Sequence, residues 1–336
     1  MQAFSRAAAA RTIMPASTRK IWLPSWDADF GRRVQRQGQR VLNRAICSLF
    51  CCLAINTASS SSLINASFTG DNGKLATYYS SITNDLTLAA AEWENLFVSG
   101  NGFPLNVNVI FDDSPTANSA SLFKTALYNE GPLSVFRQGA VDTVLNGVHN
   151  PSGPYDAEIH IGTSYLTDEL WFDPNPAKVD SVPIDKTDAE SVLMHEFGHV
   201  FGFNGNRDQY TGNLLSDSES TFDALMSFID NFPYFIGPNA KNVYGGPVPL
   251  TVGNIYHVGN PSGPGADLVT YPADLMNGVV FYRGTSPTIS ALDAAIAADL
   301  GLVIAVPEPS PIAIFCVSLV VFWLTECWRR SRRIQN

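Results

Sequence analysis

The chain has 336 residues, of which 45% are hydrophobic, and it carries 21 Lys and Arg against 31 Asp and Glu. The charge is unevenly distributed, because residues 59–310 hold eight basic and twenty-eight acidic residues, a net charge of about −20. An acidic surface of this kind repels phosphate backbones, which excludes nucleic acid as a partner of this part of the chain.

The first segment, residues 1–58, has the composition of a secretory signal. Nine Lys and Arg stand against two acids, and they precede an apolar run from Ala45 to Ile55 and a stretch of small residues. A basic region, an apolar region and a small-residue cleavage zone are the parts of an export signal. We therefore expect residues 1–58 to be a signal region and the protein to be exported.

The body of the chain, residues 59–305, predicts one α+β domain. Apolar residues at steps of three and four over residues 82–97 indicate an amphipathic helix. Apolar and polar residues alternate over residues 105–111, which is typical of a strand. None of the five cysteines falls in this domain, so it contains no disulfide and must be stabilised by its core and by any metal it binds.

Two further elements are predicted before the middle of the chain. Residues 120–128 are interpreted as a second helix, ended by Gly131. Residues 157–162 alternate again and predict a second strand. His149 is expected at the surface. His160 is expected to be a solvated histidine of the strand, with a place in the lining of a cleft as the alternative.

Residues 195–203 have the spacing of a metal site with its own general base. His195 and His199 lie four residues apart, so both imidazoles can reach one ion from the same face of a helix. Glu196 lies beside the metal without ligating it, where it can take a proton from a bound water whose pKa the ion lowers. The sequence therefore predicts a catalytic zinc site with His195 and His199 as ligands and Glu196 as the base.

The helix that carries this motif is marked at both ends. Thr187 and Glu190 have the spacing of a capping box, which predicts Thr187 as the N-cap. Gly202 predicts the end of the helix, because glycine can turn the chain with a positive φ. A turn at that point lets later residues fold back over the metal.

The motif with Gly202 included resembles the metzincin zinc peptidases, which usually place a third histidine three residues after the glycine. That position is Gly205 here, so a third ligand must come from elsewhere; His257 is the only later histidine, and Asp208 is a nearer alternative. Met276 follows Leu275 in a stretch that resembles the methionine turn beneath the zinc.

The glycine- and proline-rich residues 245–250, followed by His257 and then Met276, resemble the leishmanolysin-like branch of the metzincins. In that branch an insertion separates the zinc helix from the third ligand. The resemblance implies one zinc ion per chain, held by His195, His199 and His257, with Met276 supporting the site. Asp208 stays open as the alternative ligand.

The same resemblance implies the layout of the fold. It implies an N-terminal mixed sheet with helices, including the zinc-binding helix, in which one strand edge receives the substrate backbone. Beyond Gly202 the sequence is rich in Gly, Pro and Asn, which predicts loops rather than a second core. The domain is expected to close with a helix that is capped by Ser290 and stopped by Gly301.

The last segment, residues 306–336, has three parts in sequence. Pro307, Glu308 and Pro309 precede an apolar run over residues 312–324, and a cluster of arginines follows. This arrangement resembles the PEP-CTERM sorting signal of envelope-bearing bacteria, whose tail is cut by an exosortase-type sorting transpeptidase. The resemblance implies an envelope location, with the C-terminal segment anchored in the membrane at least before processing; a plain membrane anchor is the alternative.

Together these features predict a secreted, envelope-sorted zinc endopeptidase that acts on protein or peptide substrates. Two alternatives from other classes are a surface adhesion or structural protein with a metal site, and a zinc hydrolase of a non-peptide substrate. The intact Glu196 counts against the first, because a structural site has no use for an unligated carboxylate. Nothing in the sequence excludes the second.

Overall fold

The computed structural model describes residues 64–97, 104–174 and 181–302. The predicted signal region and the predicted sorting segment both lie outside these residues. Within the described part of the chain, no helix combines the length and the hydropathy needed to cross a bilayer.

The described residues form an α+β domain, as the sequence predicts. Its α-helices are α1 (Tyr79–Glu94), α2 (Gly139–Asn146), α3 (Ala189–Phe201), α4 (Thr221–Ala224), α5 (Pro238–Tyr244) and α6 (Ala291–Asp299). Its strands are β1 (Ile64–Thr69), β2 (Leu105–Asp112), β3 (Ala117–Ser121), β4 (Lys124–Glu130), β5 (Leu133–Gln138), β6 (Ala157–Gly162), β7 (Leu170–Trp171), β8 (Thr187–Asp188), β9 (Ser218–Ser220), β10 (Met226–Ile229), β11 (Phe232–Phe235), β12 (Val248–Thr251) and β13 (Asn254–Val258). A π-helical turn at Tyr165–Glu169 and a 3₁₀ turn at Ala266–Val269 complete the set.

A mixed four-stranded sheet supports the N-terminal half, with the strand order β1, β2, β6, β3. The first three strands run parallel, and β3 pairs antiparallel with β6 at the edge. The predicted strands over residues 105–111 and 157–162 are confirmed as β2 and β6, and alternate side chains of each are buried. Helix α1 matches the helix predicted over residues 82–97, and its fully buried Trp93 donates a 2.9 Å hydrogen bond to the carbonyl of Met194 in α3.

The helix predicted for residues 120–128 is wrong. These residues contribute to β3 and β4, and β4 forms an antiparallel hairpin with β5. Gly131 lies in the hairpin turn with a φ of 60° and does not end a helix. Apolar residues spaced by three and four suggested the helix, but pairing with distant strands outweighs such local spacing, and the Gly131-Pro132 pair is a turn signal that favours the hairpin.

The prediction of loops beyond Gly202 is also wrong in part. Strands β10, β11, β12 and β13 form a four-stranded antiparallel sheet in this region. Its buried side chains, including Phe235 and Leu250, belong to the same core cluster as those of α1 and the mixed sheet. The expectation that this region adds no second core is therefore confirmed.

Helix α6 begins and ends where the sequence predicts. The Ser290 hydroxyl accepts hydrogen bonds from the N–H groups of Leu292 (3.1 Å) and Asp293 (3.0 Å), and the Asp293 carboxyl accepts one from the N–H of Ser290 (2.8 Å). The same hydroxyl donates to Asp274 over 2.8 Å, and Gly301 follows the helix with a φ of 95°. The cap thus joins the last helix to the segment around Asp274.

Asp293 should make stability depend on pH. It is fully buried, and burial together with the nearby Asp274 carboxylate raises its pKa well above the ordinary value. The folded chain then keeps a proton that the unfolded chain releases above a pH of about 3.9, so the contribution of this residue to stability falls as pH rises from there toward the raised pKa. The amide of Asp293→Asn can donate to Asp274 and does not ionise. We therefore expect the free energy of unfolding of this variant to fall less steeply with rising pH than that of the wild type. Urea unfolding at several pH values from 4 to 8 measures the free energy of unfolding of both proteins. If it depends on pH equally in the variant and in the wild type, the prediction is wrong.

Candidate metal centre

Helix α3 carries the motif and begins one residue later than predicted. Its N-cap is Asp188, whose carboxylate accepts hydrogen bonds from the N–H (3.3 Å) and the hydroxyl (2.6 Å) of Ser191. The Thr187 cap is wrong, because the Thr187 hydroxyl donates to Glu169 over 2.8 Å instead. Gly202 ends the helix as predicted, with a φ of 140°.

Three of the predicted site residues meet at one point. The Nε2 atoms of His195 and His199 are 3.2 Å apart, and those of His195 and His257 are 3.1 Å apart. The third pair, His199 and His257, is separated by 3.0 Å. Within the described residues, these three form the one group of side chains whose ligand atoms converge closely enough to hold a metal ion.

Asp208, the alternative third ligand, is not brought to this point. Its carboxylate accepts hydrogen bonds from the N–H (2.7 Å) and the hydroxyl (2.8 Å) of Thr211 and from the N–H of Tyr210 (3.2 Å). These bonds close the loop in which Asp208 itself lies. The structure therefore brings His257, and not Asp208, to the two helix histidines.

The second ring nitrogen of two histidines fixes where the proton lies. Nδ1 of His195 is 2.7 Å from the carbonyl oxygen of Leu275, and Nδ1 of His199 is 2.6 Å from that of Phe203. A carbonyl oxygen only accepts hydrogen bonds, so Nδ1 donates in both rings and Nε2 of the neutral ring keeps a free lone pair.

The three rings are neutral at pH 7. Burial, and then the neighbouring His199, lowers the pKa of His195 to about 3. Burial also lowers the pKa of His199 and, further, that of His257. The Nε2 lone pairs of His195 and His199 face one another at 3.2 Å and repel unless a cation lies between them, so the cluster can hold a metal ion.

The turn that contains Met276 supports the site from below. Its Leu275 carbonyl orients His195, and the carbonyl of Met276 accepts a 3.0 Å hydrogen bond from the N–H of Val258, the residue after His257. The buried Met276 side chain lies against α3 at Gly198, where a Cβ would come within 2.4 Å of its sulfur. One turn therefore contacts both α3 and β13, the two elements that carry the three histidines.

Gly198→Ala should destabilise the protein although alanine is the better helix former. The helix preference for alanine over glycine is worth about 0.8–1.0 kcal/mol, but the new methyl group overlaps the fully buried Met276. Overpacking of this kind costs about 1–3 kcal/mol, so we expect a net loss of about 1 kcal/mol. Chemical unfolding measures the loss, and the double variant with Met276→Ala should have a smaller penalty from the added methyl. If Gly198→Ala is as stable as the wild type, the methionine does not constrain this helix.

Glu196 has an unpaired carboxylate oxygen beside the three histidines. Its side chain is 4% exposed, and its Oε2 atom is buried without a hydrogen-bond partner in the described part of the chain. Burial raises the pKa of Glu196 to about 7, and a nearby dication would lower it again. A buried carboxylate oxygen without a partner costs free energy. We therefore expect Oε2 to bind a ligand or a water molecule in the cleft.

A cleft of about 470 Å³ opens over this cluster. One side is formed by residues 116–119, which include the start of edge strand β3, and another by residues 277–281 after the Met276 turn. Strand β3 is fixed to α3 by Ser119, whose hydroxyl donates to the backbone carbonyl of Glu196 over 2.7 Å. In the described residues no strand pairs with the outer edge of β3, and Glu196 is the one acidic or basic side chain besides the histidines that lines the cleft.

The other two histidines lie apart from the cleft. Nδ1 of His149 is 2.9 Å from Asp156, and the His149 side chain is 44% exposed, as expected for a surface residue. Nδ1 of His160 is 2.7 Å from a carboxylate oxygen of Asp112, and the His160 side chain is half-buried. Neither histidine lines the cleft.

Comparisons of the chain with protein-family models, with curated proteins and with solved structures find no match. The function of the site must therefore be inferred from its own geometry and from the residues that form it.

Several groups at the site were missed at the sequence level. The carbonyls of Phe203 and Leu275 belong to the backbone, and no residue type marks which carbonyl will orient an imidazole. Ser119 was missed because its segment was interpreted as lying next to a helix. Asp223 had a usable signal, since Ser220 and Asp223 form a capping box that the structure contains at the start of α4.

Proposed function

We propose that this protein is a zinc-dependent endopeptidase. The observation that carries the proposal is the buried, unpaired carboxylate oxygen of Glu196, which lines the same cleft as three convergent imidazole nitrogens. A structural metal site has no use for such a carboxylate, whereas a hydrolytic site needs a proton acceptor next to the metal.

The donor set favours zinc. Three neutral imidazoles with a fourth position open to a cleft are a common ligand set of catalytic zinc. In a tetrahedral site with Zn–N bonds of about 2.0–2.1 Å, two nitrogen ligands lie about 3.3–3.4 Å apart, and the observed separations of 3.0 to 3.2 Å are within a few tenths of an ångström. A bound zinc ion would supply a Lewis acid for the carbonyl and would lower the pKa of water at the site.

The residues of the chain account for the remaining chemistry. In this proposal Glu196 accepts a proton from the attacking water and passes it to the leaving amine. The carbonyls of Leu275 and Phe203 hold the rings of His195 and His199 in the tautomer that leaves Nε2 free. Among the described residues, no charged side chain other than Glu196 lines the cleft beside the histidines, so none competes with the base there.

The open edge of β3 favours a peptide over other substrates. An edge strand has unpaired N–H and C=O groups to which an extended chain can add. Residues of this strand line the cleft, and Ser119 fixes the strand against the helix at Glu196. A peptide that pairs with this edge passes beside the three histidines. A small non-peptide ester or amide has no extended backbone with which to pair in this way.

The proposal includes the family and the location. The spacing of the motif, the supporting turn at Met276 and the distant His257 support a metzincin of the leishmanolysin-like branch. Export through residues 1–58 and sorting through residues 306–336 rest on the sequence alone. Mass spectrometry of the envelope-associated protein checks the sorting: loss of all peptides beyond about residue 310 supports it, and recovery of Asn336 contradicts it.

Metal analysis and hydrolysis of an unstructured protein test the function together. We expect one zinc ion per chain and cleavage of casein that stops with 1,10-phenanthroline and returns when zinc is added. The non-chelating isomer 1,7-phenanthroline is the control and should leave cleavage unchanged. The proposal is wrong if the protein binds no zinc. It is also wrong if the protein binds zinc but cleaves no peptide under any of these conditions.

A further inference from the structure

A buried hydrogen-bond network lies directly beside the third histidine. The hydroxyl of Tyr256 donates to Oδ1 of Asp223 over 2.9 Å and accepts from the N–H of Arg207 over 2.6 Å. Oδ2 of Asp223 accepts from the N–H groups of Asn206 (2.7 Å) and Ser220 (2.8 Å). These four hydrogen bonds therefore all have either the Asp223 carboxylate or the Tyr256 hydroxyl as acceptor.

Asp223 and Tyr256, at the centre of this network, are buried, and the partly exposed Arg207 lies at its edge. Asp223 is completely buried and Tyr256 is 5% exposed. The Arg207 guanidinium lies 3.7 Å from Asp223 and 3.5 Å from Glu219, which offsets the buried negative charge. A tyrosine hydroxyl is ordinarily protonated at neutral pH, so Tyr256 can donate to the Asp223 carboxylate.

Three separate segments of the chain meet at Asp223. They are the loop after α3, the start of α4, and β13, which carries Tyr256 and His257. Gly205 marks how closely they approach, because a Cβ there would lie 2.4 Å from Oδ1 of Asp223 and 2.6 Å from the Tyr256 ring. The space beside Gly205 is thus filled by the carboxylate and the tyrosine, and a side chain at this position would push them apart.

His257 depends on this junction for its position. It is 58 residues from His199 along the chain, so nothing local to the helix places it. Tyr256 is its immediate neighbour in β13, so a displacement of the tyrosine displaces the imidazole as well. The loop that follows α3 and the strand that returns to it are joined at the Tyr256 hydroxyl, through Arg207 and Asp223.

We propose that Asp223 and Tyr256 are positioning residues for the third metal ligand. The Asp223 carboxylate holds the Tyr256 hydroxyl, and this bond keeps Nε2 of His257 at its distance of 3.0 to 3.1 Å from the other two nitrogens. The proposal rests on the metal site proposed above and adds the part of the fold that completes it.

Tyr256→Phe tests the proposal, with Tyr79→Phe as the matched control. Both substitutions remove one tyrosine hydroxyl that donates to an aspartate, since Tyr79 bonds Asp71 over 2.8 Å, but Tyr79 does not line the cleft. The zinc dissociation constant of the full-length protein is measured by competition with a chromophoric chelator, and the melting temperature of the zinc-free protein is measured beside it. We expect zinc binding about 10–100-fold weaker in Tyr256→Phe and unchanged in Tyr79→Phe.

The readouts separate positioning from general stabilisation. A purely structural role would lower the melting temperature of the zinc-free protein and leave the zinc dissociation constant of the folded protein unchanged, which would overturn the proposal. Asp223→Asn is a second variant with the same side-chain volume and should weaken zinc binding in the same direction. If this variant fails to fold, the Tyr256→Phe result decides alone.

His257→Ala is the reference for the metal site itself. If His257→Ala loses zinc and Tyr256→Phe keeps it at wild-type affinity, the positioning role fails and the metal site stands. If both variants keep zinc, His257 is not a ligand, and the positioning role fails with it. If the wild-type protein binds no zinc, the metal site fails, and with it the proposed function.

Discussion

Replacing Glu196 with glutamine should reduce peptide hydrolysis by about 10²–10⁴-fold, the usual contribution of a general acid–base group. Glutamine keeps the size of the side chain and its place in α3, but its amide cannot take a proton from water at neutral pH. Zinc should remain bound, because the structure brings three histidine nitrogens together without the carboxylate.

The measurement needs activity and zinc content on the same preparation. The control is Glu190→Gln, a glutamate of the same helix α3 that does not line the cleft. The control should keep wild-type activity once its fold is verified by its melting temperature. A fully active Glu196→Gln protein would end the proposed mechanism, and one that loses zinc would make Glu196 a ligand rather than the base.

The elements that could be predicted are those whose signal is local. Strands β2 and β6 follow from the alternation over residues 105–111 and 157–162, and their buried side chains alternate accordingly. Helix α3 follows from its apolar spacing and from Gly202. Its start was predicted one residue early, because Thr187 and Asp188 both suit an N-cap and only the contact with Glu169 decides between them.

The segments that were predicted wrongly depend on partners far along the chain. Residues 120–128 have apolar residues at helical steps, yet β3 pairs with β6 about forty residues later, and such pairing outweighs local preference. The four-stranded sheet after Gly202 was missed for a related reason. Its strands have four or five residues each, and Gly, Pro and Asn in the connecting turns dominate the composition.

The candidate site could be predicted to the level of residue types but not of geometry. Two histidines four apart on a helix fix two nitrogens by spacing alone. The third required a resemblance, because no property of His257 in the sequence distinguishes it from a surface histidine. In the structure His257 lies on β13, which pairs with β12, bonds the Met276 turn through Val258, and carries Tyr256, whose hydroxyl bonds Asp223, 33 positions away. These partners are joined only by folding.

His257→Ala should abolish tight zinc binding and activity, whereas Asp208→Ala should keep both. Loss of the third imidazole leaves two ligands on α3. Removing only an outer hydrogen-bond partner of a ligand lowers metal affinity by up to about 100-fold, so we expect the loss of a ligand itself to lower zinc affinity by more than that. Asp208 makes its hydrogen bonds within its own loop, to Thr211 and Tyr210, so its removal should lower stability only slightly and leave zinc bound.

Zinc titration of both zinc-free variants, with melting temperatures to verify folding, distinguishes the two ligands. The structure favours His257 on two grounds: its Nε2 atom lies within 3.1 Å of both helix histidines, and the segment after it is hydrogen-bonded to the Met276 turn that also orients His195. An imidazole also leaves the site more positive than a carboxylate would, which favours a more acidic bound water. The reverse pattern, in which Asp208→Ala loses zinc and His257→Ala keeps it, would require the loop at Asp208 to reopen on metal binding and would remove the basis for the leishmanolysin-like assignment.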